Sequence, residues 1–84
     1  MTTVDKIIHL VSWIANVPTS HILPSTDIKI DLNVDSIDFM LFIVKVEKFF
    51  NIHFSTEEIE SIETVQDASI CVNRHLQRLP LALV

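Results

Sequence analysis

Asp35-Ser36-Ile37-Asp38-Phe39-Met40-Leu41-Phe42-Ile43-Val44-Lys45-Val46-Glu47-Lys48-Phe49-Phe50 is the stretch that decides the fold. Phe39, Phe42, Ile43, Val46, Phe49 and Phe50 follow the i, i+3, i+4, i+7 spacing of a helix with one buried face. Asp35 has the chemistry of an N-cap, and Asp38 three residues on suits the positive end of the helix. Ile37, Met40, Leu41 and Val44 make a second apolar stripe on another side. That stripe either meets a partner or lies under neighbouring segments of the chain.

Upstream, Val4, Ile7, Ile8, Val11 and Ile14 predict a helix from about Val4 to Ala15, with Thr2 or Thr3 as N-cap and Pro18 closing the segment. Trp13 falls off this stripe, where it can cover the loop or touch a partner. Residues 16–34 hold Pro18, Pro24 and several Ser, Thr and Asp, with no sustained period. A connection this long in a compact domain is uncommon and, when ordered, usually functional. Ile22, Leu23, Ile28, Ile30 and Leu32 are its expected apolar anchors.

Downstream, Ser55-Thr56-Glu57-Glu58 has the form of a capping box and predicts a short helix. A last helix starts after Thr64, with Thr64-x-x-Asp67 as its signal and Val65, Ala68, Val72, Leu76 and Leu79 on one face. Pro80 ends it and leaves an apolar tail over 80–84, which either folds back or frays. No stretch alternates with period two, so the fold is all-α.

The whole chain sets the outer bounds. Its 84 residues make a single domain over 1–84, burying only about 60% of the surface of the unfolded chain. Apolar residues make up 49% of the sequence, enough for a packed core. The formal net charge of −5 disfavours nucleic acid and anionic membrane surfaces and favours basic patches on other proteins. Cys71 is the only cysteine, so no internal disulfide forms and a reducing compartment fits. The start, Met1 to Asp5, lacks the basic and apolar segments of a secretory leader, and the longest apolar run, Phe39 to Val44, is too short for a bilayer. The expectation is a soluble, cytoplasmic monomer.

Ser36 stands on the first turn of the helix that opens after the long loop. Free backbone N–H groups and partial positive charge at that end suit a phosphate ester on its hydroxyl. No His, Lys or Cys lies within a few residues to act as its base, so Ser36 receives chemistry from another enzyme rather than performing it. A serine hydrolase is excluded for want of a base and an oxyanion site. His9, His21, His53 and His75 are scattered without ligand spacing, so no metal site is expected. Cys71, at the edge of the last apolar face, reads as a small core residue.

The run from Thr26 to Asp38 resembles the modification-site region of acyl carrier proteins, where Asp-Ser-Leu or Asp-Ser-Ile opens the second helix. Phe50-Asn51-Ile52-His53-Phe54 resembles that family's exit from the same helix, and Thr64-Val65-Gln66-Asp67-Ala68 its start of the fourth. The resemblance spans roughly Val4 to Leu76. It implies a four-helix acyl-carrier-protein-like bundle, with a long loop between the first two helices and a short third helix. It further implies covalent 4′-phosphopantetheine on Ser36, placed there from coenzyme A by a phosphopantetheinyl transferase. Asp35 would help position magnesium and phosphate during loading. The arm's terminal thiol would hold acyl groups as thioesters for acyl-transferring, condensing or ligase enzymes.

Such a chain is a carrier and not an enzyme, serving fatty-acid, polyketide or specialised lipid biosynthesis. A peptidyl or aminoacyl carrier, or an unmodified helical adaptor, are the alternatives. The expected partner face comprises Ile37, Asp38, Met40, Leu41, Val44 and Glu47. Two departures from the family stand out. Asn33 replaces the usual glycine three residues before the serine, and Asn is the best substitute where a left-handed backbone is needed. On the second helix Leu41 occupies a usually acidic place, and Lys45 and Lys48 add positive charge.

Overall fold

The computed structural model describes residues 1–78, which fold into helices α1 (Thr3–Ala15), α2 (Ser36–Phe50), α3 (Thr56–Ser61) and α4 (Val65–Arg78), plus a short 3-10 turn at Thr19–His21. Leu79, Pro80 and the expected apolar tail over 80–84 lie outside the described residues. The all-α expectation holds, since the one extended pairing among them is the isolated bridge Asp27–Thr64.

Each helix starts where a side chain can satisfy its first amides. Thr2 and Asp5 form a capping box on α1, and Ser55 and Glu58 form another on α3. Asp35 caps α2 by accepting the Asp38 N–H at 2.8 Å. At the head of α4, Thr64 Oγ1 accepts the Asp67 N–H at 3.1 Å while Asp67 Oδ2 accepts the Thr64 N–H at 3.0 Å. The backbone hydrogen bond from Thr64 holds the Asp67 carboxyl below its ordinary value. The Asp5 carboxyl is lowered in the same way by Thr2.

The chain contains no glycine, and asparagine takes every left-handed position among the described residues. Asn16 and Asn51 end α1 and α2 with φ of 56° and 57°, and Asn33 adopts φ 55° ahead of the Ser36 turn. An L-residue pays roughly 1–2 kcal/mol for that conformation, and asparagine tolerates it best because its side chain bonds locally. The expectation for Asn33 is met.

α1 packs against both α2 and α4. Ile7 and Val11 from α1, Phe39, Phe42, Ile43 and Val46 from α2, and Val65, Ala68, Cys71 and Val72 from α4 meet in one core. Burying each large side chain stabilises the fold by roughly 1.5–3 kcal/mol. Cys71 is in this core as expected, and burial, with Glu58 nearby, pushes its thiol pKa up.

Three expectations need correction. Phe49, assigned to the buried stripe, is 58% exposed. At about 100° per residue it stands about 80° from Phe39, at the rim of the core-facing arc. Leu23 and Ile30 were expected to anchor the long loop, yet both are exposed, Ile30 by 80%. The loop is held through its backbone instead. Ile28 N–H donates to Glu63 O at 2.9 Å, Val65 N–H to Thr26 O at 3.1 Å, and Gln66 N–H to Pro24 O at 2.9 Å. Ile22, Ile28 and Val34 are the side chains it buries. Trp13 is 59% exposed and lies against α2 through Lys45, whose Nζ stands 4.8 Å from its ring centroid.

Candidate functional site

The long loop delivers the chain to α2 through the left-handed turn at Asn33 and the buried Val34. Asp35 then caps the helix, and Ser36, the first helical residue, is exposed. Asp38 N–H donates to Asp35 Oδ1 and Phe39 N–H donates to Asp35 O at 2.8 Å. The amides of Ser36 and Ile37 have no acceptor among the described residues. Two open N–H donors at the positive end of a 15-residue helix thus adjoin an exposed hydroxyl. An anionic ester on Ser36 fits that arrangement.

No hydrogen bond reaches the Ser36 hydroxyl among the described residues, so no general base is poised on it. No group of His, Cys, Asp and Glu side chains suited to hold a metal occurs among them either. The arrangement offers an exposed hydroxyl beside two open amides at a helix N-terminus.

Helix α2 presents the remaining expected residues in different ways. Ile37, Met40, Leu41 and Val44 are all exposed, Ile37 by 78%. Neither the long loop nor α3 covers them. Asp38 is half-buried beside the cap. Glu47 turns toward the helix exit, where its Oε2 accepts the Phe54 N–H at 2.9 Å and stands 3.7 Å from His53 Nδ1. Beyond Asp38, the exposed side of α2 therefore bears lysines as its charges, Lys45 and Lys48, with the apolar side chains and Phe49.

Two features of this region were not read from the sequence. Lys29 Nζ lies 4.3 Å from the Phe39 ring centroid, and His75 on α4 reaches the Glu58 carboxylate on α3. Both join residues far apart in the chain, and no local spacing signals either.

A family model described as a phosphopantetheine attachment site matches residues 5–72. The acyl carrier protein of Phytoplasma mali is 30% identical over 72 residues, 86% of each chain. The chain belongs to the acyl carrier protein family. The acyl carrier protein of Buchnera aphidicola is 34% identical over 68 residues, covering 81% of this chain and 86% of that one. The solved acyl carrier protein from Enterococcus faecalis superimposes with a TM-score of 0.71 at 29% identity, over 89% of this chain and 99% of that one. Membership in the acyl carrier protein family brings with it covalent 4′-phosphopantetheine and work alongside biosynthetic enzymes, in a family of carriers that are generally not catalysts. No helix among the described residues is long and apolar enough to cross a membrane.

Proposed function

We propose that this carrier holds acyl intermediates on a 4′-phosphopantetheine arm attached to Ser36 and presents them to the enzymes of a dedicated biosynthetic pathway. The observation that supports it most is the exposed Ser36 hydroxyl on the first turn of α2, beside the open amides of Ser36 and Ile37. When bound, the arm supplies a terminal thiol that holds acyl groups as thioesters. Everything else is the work of this chain's own residues. The open amides and the helix end stabilise the anionic ester. Asp35 keeps the α2 start in place through its cap and assists a phosphopantetheinyl transferase by directing magnesium and phosphate toward Ser36.

Partner enzymes meet the face formed by Ile37, Asp38, Met40, Leu41 and Val44, with Glu47 at its C-terminal edge. Four exposed apolar side chains in one patch mark an interaction surface more than a solvated helix face. With Leu41 in a usually acidic place, recognition by this face rests less on charge than is usual for the family. Transfer to a cognate partner across a salt series tests this, because exposed ion pairs weaken with salt while apolar contacts do not. A shallow dependence is expected, and a steep loss contradicts it.

The same departures on α2 favour polyketide or specialised lipid synthesis over housekeeping fatty-acid synthesis, with the protein acting as a cytoplasmic monomer. Intact mass after incubation with coenzyme A and a broad-specificity transferase separates the carrier from an unmodified adaptor. Comparison of acyl and aminoacyl loading separates it from a peptidyl carrier.

A further inference from the structure

A phosphodiester on Ser36 adds negative charge to a segment that already holds Asp31, Asp35 and Asp38. Between His21 and Lys45 the sequence offers one cation, Lys29. Its Nζ stands 4.3 Å from the centroid of the Phe39 ring. Phe39 lies three residues past Ser36, so the two are neighbours on the helix surface, with Cβ atoms about 5–6 Å apart. A long helical side chain also leans back over the turn before it. The contact therefore holds the Lys29 ammonium on the side of α2 where the loop meets the helix, about one turn along from Ser36.

That cation is available. The ion pairs among the described residues are His53–Glu47 and His75–Glu58, and neither involves Lys29. The acids flanking it in the loop are engaged by backbone amides. Asp27 Oδ1 accepts the N–H groups of Lys29 at 3.1 Å and Ile30 at 2.8 Å, and Asp31 Oδ2 accepts the Asp27 N–H at 2.8 Å. These bonds fix the turn that carries Lys29.

We infer that Lys29 is a binding residue for the phosphodiester of the arm, acting from the loop side while the Ser36 and Ile37 amides act from the helix. This rests on Ser36 as the attachment point. Lys29 offsets the neighbouring carboxylates and draws the root of the arm toward the loop. A lysine suits this role as a point charge on a flexible stem that can swing from the ring to the phosphate.

Phosphorus NMR of the loaded wild type, Lys29→Met and Lys29→Arg proteins tests the inference, after intact mass has established loading. Lys29 is exposed, and circular dichroism verifies that both variants keep the fold. The phosphorus resonance is expected to shift in Lys29→Met and to stay near the wild-type position in Lys29→Arg. In about 1 M salt, where the screening length is about 3 Å, the wild-type resonance is expected to move toward that of Lys29→Met. The Lys29 side-chain resonances are expected to shift between the unloaded and loaded wild type. Coincident phosphorus resonances in fully loaded wild type and Lys29→Met, or unmoved Lys29 resonances, overturn this inference alone. Absence of any mass gain at Ser36 overturns the attachment reading and this inference with it.

Discussion

The imidazole Nε2 of His75 on α4 lies 3.0 Å from Oε2 and 3.1 Å from Oε1 of Glu58 on α3. Glu58 Oε1 also accepts the Ser55 N–H at 2.8 Å, so one carboxylate both caps α3 and ties it to α4. Phe54 packs edge-on against the His75 ring, with centroids 5.6 Å apart. Helix α3 has six residues, none of them fully buried. It is therefore held in place by such ties and by the buried Ile62 that follows it.

His75→Ala is expected to lower stability by about 1 kcal/mol, the net worth of a lost hydrogen bond. The loss should concentrate in α3. Amide hydrogen exchange checks this, with faster exchange at Ile59 and Ile62 and little change in the α2 core.

The same carboxylate sets a pH dependence. Burial alone would raise the Glu58 pKa, but the hydrogen bonds from Ser55 and His75 outweigh it and hold the carboxyl below its ordinary value of 4.5. A depressed folded-state pKa gives stability that is present above the unfolded value and lost as pH falls through the folded one. Urea midpoints are thus expected to decline below about pH 4.5, and Glu58→Gln should flatten part of that decline. Asp5 and Asp67, lowered by their own caps, should retain the remainder.

Asn33 is expected to tolerate glycine and reject β-branched residues. Asn33→Val should cost about 1–2 kcal/mol, because its φ of 55° crowds a Cβ substituent. Chemical denaturation measures the difference. Loading of Ser36 should slow in parallel, as the turn leads directly into the site.

At Asp35, capping and loading can be separated. Asparagine caps as well as aspartate, whereas alanine costs about 1 kcal/mol. Asp35→Asn should therefore melt like the wild type and Asp35→Ala below it. Both should load about tenfold more slowly, equivalent to about 1.4 kcal/mol in the barrier, if the charge directs the magnesium.

On the proposed partner face, Leu41→Asp and Val44→Asp should cost only about 1 kcal/mol of stability, since these side chains are about 40% exposed and outside the buried core. Acyl transfer to a partner should fall about tenfold, as when a contact worth more than 1 kcal/mol is removed. Phe42→Ala, on the buried face of the same helix, should instead cost about 3–5 kcal/mol. Thermal melts beside transfer rates distinguish the two faces.

Local patterns made most of this architecture readable in advance. The α2 core positions follow from helical period and the caps at Asp35, Ser55 and Thr64 from side chains that accept backbone amides. The Asn33 turn is instead implied by the family resemblance, where glycine is usual, with asparagine the residue that best tolerates a left-handed backbone in its place. Exposure of Ile37, Met40, Leu41 and Val44 could not be read the same way, because their spacing is equally that of a buried stripe. It depends on where the loop and α3 lie, and those are placed by backbone bonds such as Ile28 N–H to Glu63 O. Phe49 and Ile30 failed for the same reason, since apolarity states what a side chain prefers and not what the tertiary packing leaves for it. The His75–Glu58 tie spans 17 residues and has no periodic signature.

Mass spectrometry of the intact protein after incubation with coenzyme A, magnesium and a broad-specificity phosphopantetheinyl transferase, followed by peptide mapping, tests the central claim most directly. One 4′-phosphopantetheine per chain, mapped to Ser36 and absent in Ser36→Ala, is the predicted result. An unchanged wild-type mass, or a gain that persists in Ser36→Ala, would contradict it.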